Sequence, residues 1–313
     1  MKRPQGISIL GMIALLMIIF AVGAVLLAAI GQVLGIVFLS KPCIAEVKIE
    51  SEISDYSGPS SVFSPEPPPS ARDIIKMIDS AESREDVKAI VLYIDSPGGE
   101  VIPSREIYER VKHSRKPVVA YFRSMAASGG YYAAAGSDYI VSEPEAITGS
   151  IGVRTTTISL AGLFSKVGIN YTDITSGELK GIGDVGHNLT ERERAVLQSI
   201  IDEIFDEFRN AVYENRHGRP RFSDEKFEQV LDGRILSGRQ AYGIGLVDEL
   251  GNETRAFNKA AELAGIKEYD RCEISPQRGI LRSFIEEIAW PLQININFNT
   301  LLAPSRTASV SYT

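Results

Sequence analysis

The spacing of apolar residues divides the chain before any motif is considered. From Gly6 to Leu39 no residue is charged, and 7–30 is almost wholly apolar. A helix of that length spans the hydrocarbon of a bilayer. The run is too long for the apolar region of a secretory signal peptide, which ends in an Ala-x-Ala-like exit, so an uncleaved anchor is expected. Lys2 and Arg3 precede it and keep the amino end cytoplasmic, which puts the rest of the chain outside; Lys41 weakens that bias without reversing it.

Beyond residue 42 the pattern is that of a globular domain. Residues 43–50 alternate apolar and polar, as a strand does. Residues 87–94 are nearly continuously apolar, which suits a strand buried on both faces of a parallel sheet. Further strands are expected at 117–122, 138–142 and 171–175. Between them lie helical patterns at 71–81, with Ser70 as N-cap and Ile74, Ile75 and Ile78 on one face, and at 103–113. Residues 57–70 form a Pro- and Ser-rich loop. Strand–helix–strand alternation implies right-handed parallel crossovers and an α/β fold with a mostly parallel sheet.

The second half reads as helices. A short one is expected at 163–167. Thr190 and Glu193 form a capping box for a long helix that keeps Leu197, Ile201, Phe205, Phe208 and Val212 on one face, a core stripe. Helices at 222–231, 236–241 and 253–264 follow, and 290–298 alternates like an edge strand. Three segments are expected: a tip and anchor at 1–42, a domain at 43–275, and an extension at 276–313 ending in a polar tail.

Composition removes several function classes. The 313 residues carry a net charge of −7 with no basic run, which argues against nucleic acid as a partner. The three histidines show no ligand spacing, so no metal site is expected. No phosphate loop ending in Gly-Lys-Ser/Thr occurs. Cys43 and Cys272 allow one disulfide or two free thiols.

The chemistry centres on 124–132, Ser-Met-Ala-Ala-Ser-Gly-Gly-Tyr-Tyr. An apolar strand, a tight turn of small residues and a helix start place Ser128 where backbone N–H groups have no intrahelical partner and can stabilise negative charge on oxygen. A plainer account is that these small residues only pack a helix on the sheet. A serine nucleophile needs a base. None of the histidines has a glycine-rich or turn setting like that of Ser128. Lys180 stands between Ser176-Gly177 and Gly181, which let its side chain turn inward, although most lysines simply face solvent.

Several motifs occur in one order: Ile94-Asp95-Ser96-Pro97-Gly98-Gly99, Ala126-Ala127-Ser128-Gly129-Gly130-Tyr131-Tyr132, Thr148-Gly149-Ser150-Ile151-Gly152-Val153, Ser176-Gly177 with Lys180, and Asp232-Gly233-Arg234 with Gly245-Leu246-Val247-Asp248. Over about residues 43–265 the chain resembles the signal peptide peptidase A family of Ser–Lys proteases, in its short single-unit form. The resemblance implies a crotonase-like, Clp-protease-like fold of repeated ββα units. It implies Ser128 as nucleophile, Lys180 as general base, and Ser150 as a serine that hydrogen-bonds and orients the lysine amine. It implies a substrate-binding strand edge at Pro97 and Gly99, and oxyanion donors from Gly98 and Gly129. Asp95 departs from the family's frequent Asn. No cofactor is called for. The expected substrates are peptides, remnant signal peptides and other envelope polypeptides among them. The expected assembly is a cyclic homo-oligomer whose dyad is shared between protomers. A crotonase-type acyl-CoA enzyme and a catalytically silent membrane scaffold are the alternatives on this fold.

Overall fold

The computed structural model describes residues 13, 15–24, 26, 41–56 and 68–276. The expected membrane-spanning run lies largely outside them; those of its residues that are described are helical. Among the described residues no helix is long and apolar enough to cross a membrane. The expected edge strand at 290–298 also lies outside the described residues.

The domain is a mixed α/β fold around an eight-stranded, mostly parallel sheet. Its elements are β1 (Cys43–Ile49), α1 (Ala71–Ser83), β2 (Val87–Ser96), α2 (Val101–Lys112), β3 (Val118–Ala127), α3 (Gly129–Ala135), β4 (Tyr139–Ser142) and β5 (Ile147–Gly149). They continue with α4 (Ala161–Val167), α5 (Glu191–Arg216), α6 (Asp224–Glu228), β6 (Ile235–Ser237), α7 (Gly238–Gly243), β7 (Glu249–Leu250), α8 (Glu253–Ala264) and β8 (Asp270–Glu273). The strand order is β6-β5-β3-β2-β1-β8, and β4 joins β3 to β7. Among the described residues only β5 and β6 run antiparallel.

β2 shows why the centre is buried on both faces. Ile90, Leu92 and Ile94 enter one core with Val47, Ile49, Ala120 and Phe122, covered by α1, α2 and α3. Ala89 and Val91 enter a second core with Ile44, Val119 and Tyr121. Phe257, Ala260 and Ala261 of α8 close that second layer. α1 and α5 both start in capping boxes, from Ser70 and Thr190. Cys43 and Cys272 are disulfide-bonded, with Cα atoms 6.0 Å apart, and tie edge strand β8 to the start of β1.

β3 positions the site. Its far edge is shared: Val119 to Phe122 pair with β4, and Met125 to Ala127 pair with β5. This extends β3 well past the expected end at 122. The expected strand at 171–175 is irregular backbone: Ile174 is 92 % exposed, and nothing beside it offers a ladder. The helix expected at 222–231 shrinks to α6. The helix expected from 236 starts two residues later, because 235–237 pairs with β5 first. The first half of α5 buries fully only Glu193 of its capping box; its apolar face is fully buried only from Phe208 through Val212, up to Arg216.

Candidate active site

β3 ends at Ala127 and α3 begins at Gly129, so Ser128 alone makes the corner, at φ 52° and ψ −122°. A side chain there costs on the order of 1–3 kcal/mol and persists only where its surroundings hold it. Its N–H donates to the Gly149 carbonyl at 2.9 Å, and its carbonyl accepts from the Tyr132 N–H at 2.9 Å. Thr148 Oγ1 pins the strand below by donating to Ala126 O at 2.7 Å. The corner turns Ser128 off the strand line and into a cleft of about 550 Å³. Ser150, also at positive φ (51°), lines the same cleft, its N–H held by Arg234 O at 2.8 Å.

Pro97, Gly98, Gly99 and Gly129 form another part of the lining. Gly98 has φ +101°, and a Cβ there would stand 2.6 Å from the Gly129 nitrogen and 2.9 Å from Ser128 Cβ. Only glycine fits at both counts. The Gly98 N–H, expected to serve the cleft, instead donates to Ser96 Oγ at 3.1 Å. The parity of the pairing with Ile53 decides where the neighbouring N–H points. Ile53 pairs in parallel opposite Gly99, donating to Gly98 O and accepting from Glu100 N–H, each at 2.8 Å. In such a ladder the intervening residue turns its own N–H to the other side. That side holds Gly129: a Cβ on Gly129 would lie 3.1 Å from the Gly99 nitrogen. Neither the Gly99 nor the Gly129 N–H finds an acceptor among the described residues. Two unpaired backbone donors therefore lie side by side next to Ser128. Asp95 fills the structural role open to Asn or Asp, as Oδ1 accepts the Met125 N–H at 3.1 Å across the β2–β3 irregularity.

The remaining walls include Val101, Tyr132, Ile204 and Phe208. The Tyr132 and Phe208 rings stack with centroids 4.5 Å apart. Burial pushes the Tyr132 hydroxyl up to about 12, so it stays neutral. Sequence reasoning assigned Phe208 to the core alone and missed Val101, Ser104 and Ile204. The signal available was the helical spacing Phe208 shares with Ile204. The aromatic wall is anchored from behind. Arg216, fully buried on α5, donates through Nη1 and Nη2 to Asp248 at 2.9 and 2.7 Å and through Nε and Nη2 to Gly245 O at 3.0 and 2.9 Å. Tyr131 of α3 donates to the neighbouring Leu246 O at 2.8 Å.

Lys180 is not part of this cleft within its own chain. It is exposed, in a turn where its N–H donates to Gly177 O at 3.0 Å. That loop is tied to the first turn of α5 by a Glu178–Arg192 ion pair and by His187 Nε2 against Glu193 Oε1 at 3.0 Å. Among the described residues no acidic, histidine and cysteine cluster could hold a metal ion.

Comparison with known proteins decides what this corner belongs to. The profile of peptidase family S49 matches residues 110–267. The chain belongs to peptidase family S49. The profile of Clp protease matches residues 65–146, which hold the Ser-Pro-Gly-Gly turn and the Ser128 corner. A protein of Methanocaldococcus jannaschii, provisionally named a protease, is 39% identical over 226 residues, 71% of each chain. A provisionally named signal peptide peptidase SppA of Enterococcus faecium is 33% identical over 69% of this chain and 62% of its own. The chloroplastic serine protease SPPA of Arabidopsis thaliana is 33% identical over 71% of this chain but only 32% of its own length. The chain is thus a serine-type peptidase on a Clp-protease-like domain, and the acyl-CoA alternative falls away.

Proposed function

We propose that this S49 member is a membrane-anchored endopeptidase in which Ser128 is the nucleophile and Lys180 the general base. The observation carrying the reading is the strained Ser128 corner beside the unpaired Gly99 and Gly129 N–H groups. Lys180 takes the hydroxyl proton as Ser128 Oγ attacks the peptide carbonyl. The carbonyl oxygen gains negative charge between the two N–H donors, the arrangement that contributes most to acyl transfer. The C–N bond breaks, the amine leaves carrying the proton, and water resolves the ester to a carboxylic acid. Ser150 orients the lysine amine. Pro97 and Gly99 meet the substrate backbone. The apolar walls favour apolar side chains, which fits remnant signal peptides and other envelope polypeptides.

The exposure of Lys180, away from its own chain's cleft, favours a base supplied by a neighbouring copy in a closed ring. Apolar side chains left exposed beside its loop, Ile158 at 66 % and Ile174 at 92 %, suit a buried contact between copies. Anchoring is supported by the described helical residues near the amino end, where Leu16 is 64 % and Phe20 82 % exposed. The Cys43–Cys272 disulfide suits an oxidising, extracytoplasmic side. The expected segments 1–42, 43–275 and 276–313 are kept as anchor, peptidase domain and extension.

The test co-assembles Ser128→Ala and Lys180→Ala protomers, each inactive alone. About one site in four should recover both groups in randomly mixed closed rings. Confirmed mixed rings without recovered peptide hydrolysis would remove the shared dyad; activity in either variant alone would remove that residue from the mechanism.

A further inference from the structure

Ser96, the last residue of β2, is fully buried, 0 % exposed, under the start of α3. Its hydroxyl does two things. It donates to the Ser51 carbonyl at 2.5 Å, and its oxygen accepts the Gly98 N–H at 3.1 Å. Ser51 lies just beyond β1, two residues before Ile53, whose N–H and carbonyl hold the Gly98–Glu100 segment from one side. On its other side Ser96 lies under α3: a Cβ on Gly130 would sit 3.1 Å from the Ser96 carbonyl and 3.5 Å from Ser96 Cβ. One side chain therefore touches the backbone of the Pro97–Gly99 turn, the strand extension that holds that turn, and the floor of the helix that begins at Ser128.

The consequence is directional. Gly98, at φ +101°, is a residue whose backbone is free to rotate. Its N–H lies in the Pro97–Gly98 peptide plane, which hinges at Gly98 onto the next plane, the one that carries the Gly99 N–H; the Ser96 bond, which holds the first plane, is one of the two bonds Gly98 makes. The other is the Gly98 carbonyl bond to Ile53. We propose that Ser96 is a positioning residue that aims the Gly99 N–H at the oxygen of the tetrahedral intermediate, through the Ser51 carbonyl–Ser96 hydroxyl–Gly98 N–H relay. This rests on the reading of Ser128 as nucleophile with Gly99 and Gly129 as oxyanion donors. Ser96 touches no substrate atom; it acts through Gly98.

Such a role separates transition-state binding from substrate binding. Losing a whole oxyanion donor lowers kcat by about 100- to 1,000-fold. Loss of aim is milder, and Ser96→Ala should lower kcat by about 10- to 100-fold with KM within about twofold. The decisive comparison uses two probes on the full chain in detergent: a peptide aldehyde and the peptide alcohol of the same sequence. Addition of Ser128 Oγ to the aldehyde carbon converts its C=O into a C–O⁻ seated on the donors, the serine proton passing to the base. The alcohol has no carbonyl and makes no such bond. Ser96→Ala should weaken the aldehyde by about tenfold or more while leaving the alcohol within about twofold. Ser96→Cys, close in volume and with a weak donor and acceptor, should fall between. It carries the test if the alanine variant does not fold. Equal weakening of both probes, or no weakening of either, would overturn the proposal. Ser128→Ala is the control for the underlying reading: if it still binds the aldehyde as tightly as the parent chain, that reading fails, whatever Ser96 does.

Discussion

Replacing Arg216 by methionine tests the frame that holds the aromatic wall of the cleft. The methionine keeps an apolar stem of similar reach and removes the guanidinium. Arg216 is 0 % exposed and the Asp248 side chain 4 %, so water does not take over the lost bonds. Asp248 would keep one donor, the Ile140 N–H at 2.8 Å. Breaking a buried pair on one side costs about 3–5 kcal/mol, and the orphaned Gly245 carbonyl adds part of a further ~1–3 kcal/mol. A total near ~5 kcal/mol is comparable with the whole stability of many domains. In urea denaturation followed by far-ultraviolet circular dichroism, Arg216→Met should therefore unfold at a much lower midpoint. The double variant with Asp248→Asn removes the stranded charge and keeps an acceptor for Ile140, so it should recover at least about 2 kcal/mol of that loss. A single variant within about 1 kcal/mol of the parent would refute the reasoning. So would a double variant less stable than the single one.

Two further outcomes rest on the same geometry. A Cβ on Gly129 would lie 2.2 Å from Ser104 Oγ and 3.1 Å from both Ser104 Cβ and the Gly99 nitrogen; Gly129→Ala should abolish turnover, and adding Ser104→Ala, which removes only the Oγ contact, should recover part of the thermal stability but not activity, recovery of activity being the contrary result. Burial pushes the Glu82 carboxyl up, but the Arg115 N–H and the Arg110 and Arg115 guanidiniums outweigh it and hold it down at about 2. Its folded value is depressed, so its contribution is complete above the ordinary carboxylate range and is lost as pH falls from about 4.5 towards about 2. With Arg115 itself exposed, that contribution is on the order of 2 kcal/mol. Glu82→Gln should flatten the fall of the urea midpoint across that window, and an unchanged slope would count against it.

How far the sequence carried depended on whether a residue's partner is near it along the chain. The apolar run of β2 and the capping boxes of α1 and α5 are local signals, and they were legible. So was the Ser128 corner, because small residues between a strand and a helix specify a tight turn by themselves. The choice of Gly99 over Gly98 was not, since it depends on the pairing parity with Ile53, a residue far back in the chain. β8 has four residues, largely exposed, and pairs with β1 across almost the whole domain; neither length nor alternation marks it. Arg216 continues the buried face of Phe208 and Val212, yet a charge at that spacing reads as the end of a core stripe until its carboxylate partner is known. Lys180 stood out by its flanking glycines, but no local pattern tells that its turn lies exposed, away from the cleft of its own chain.

The central claim is that Ser128 is a nucleophile activated by Lys180. It is tested most directly by exposing the full assembled chain to a serine-reactive fluorophosphonate and mapping the adduct by mass spectrometry over time, beside the Lys180→Ala variant. The account predicts one adduct, on Ser128, forming in the parent chain and strongly slowed in the variant. An adduct on another serine, or Ser128 labelled equally fast without Lys180, would contradict it.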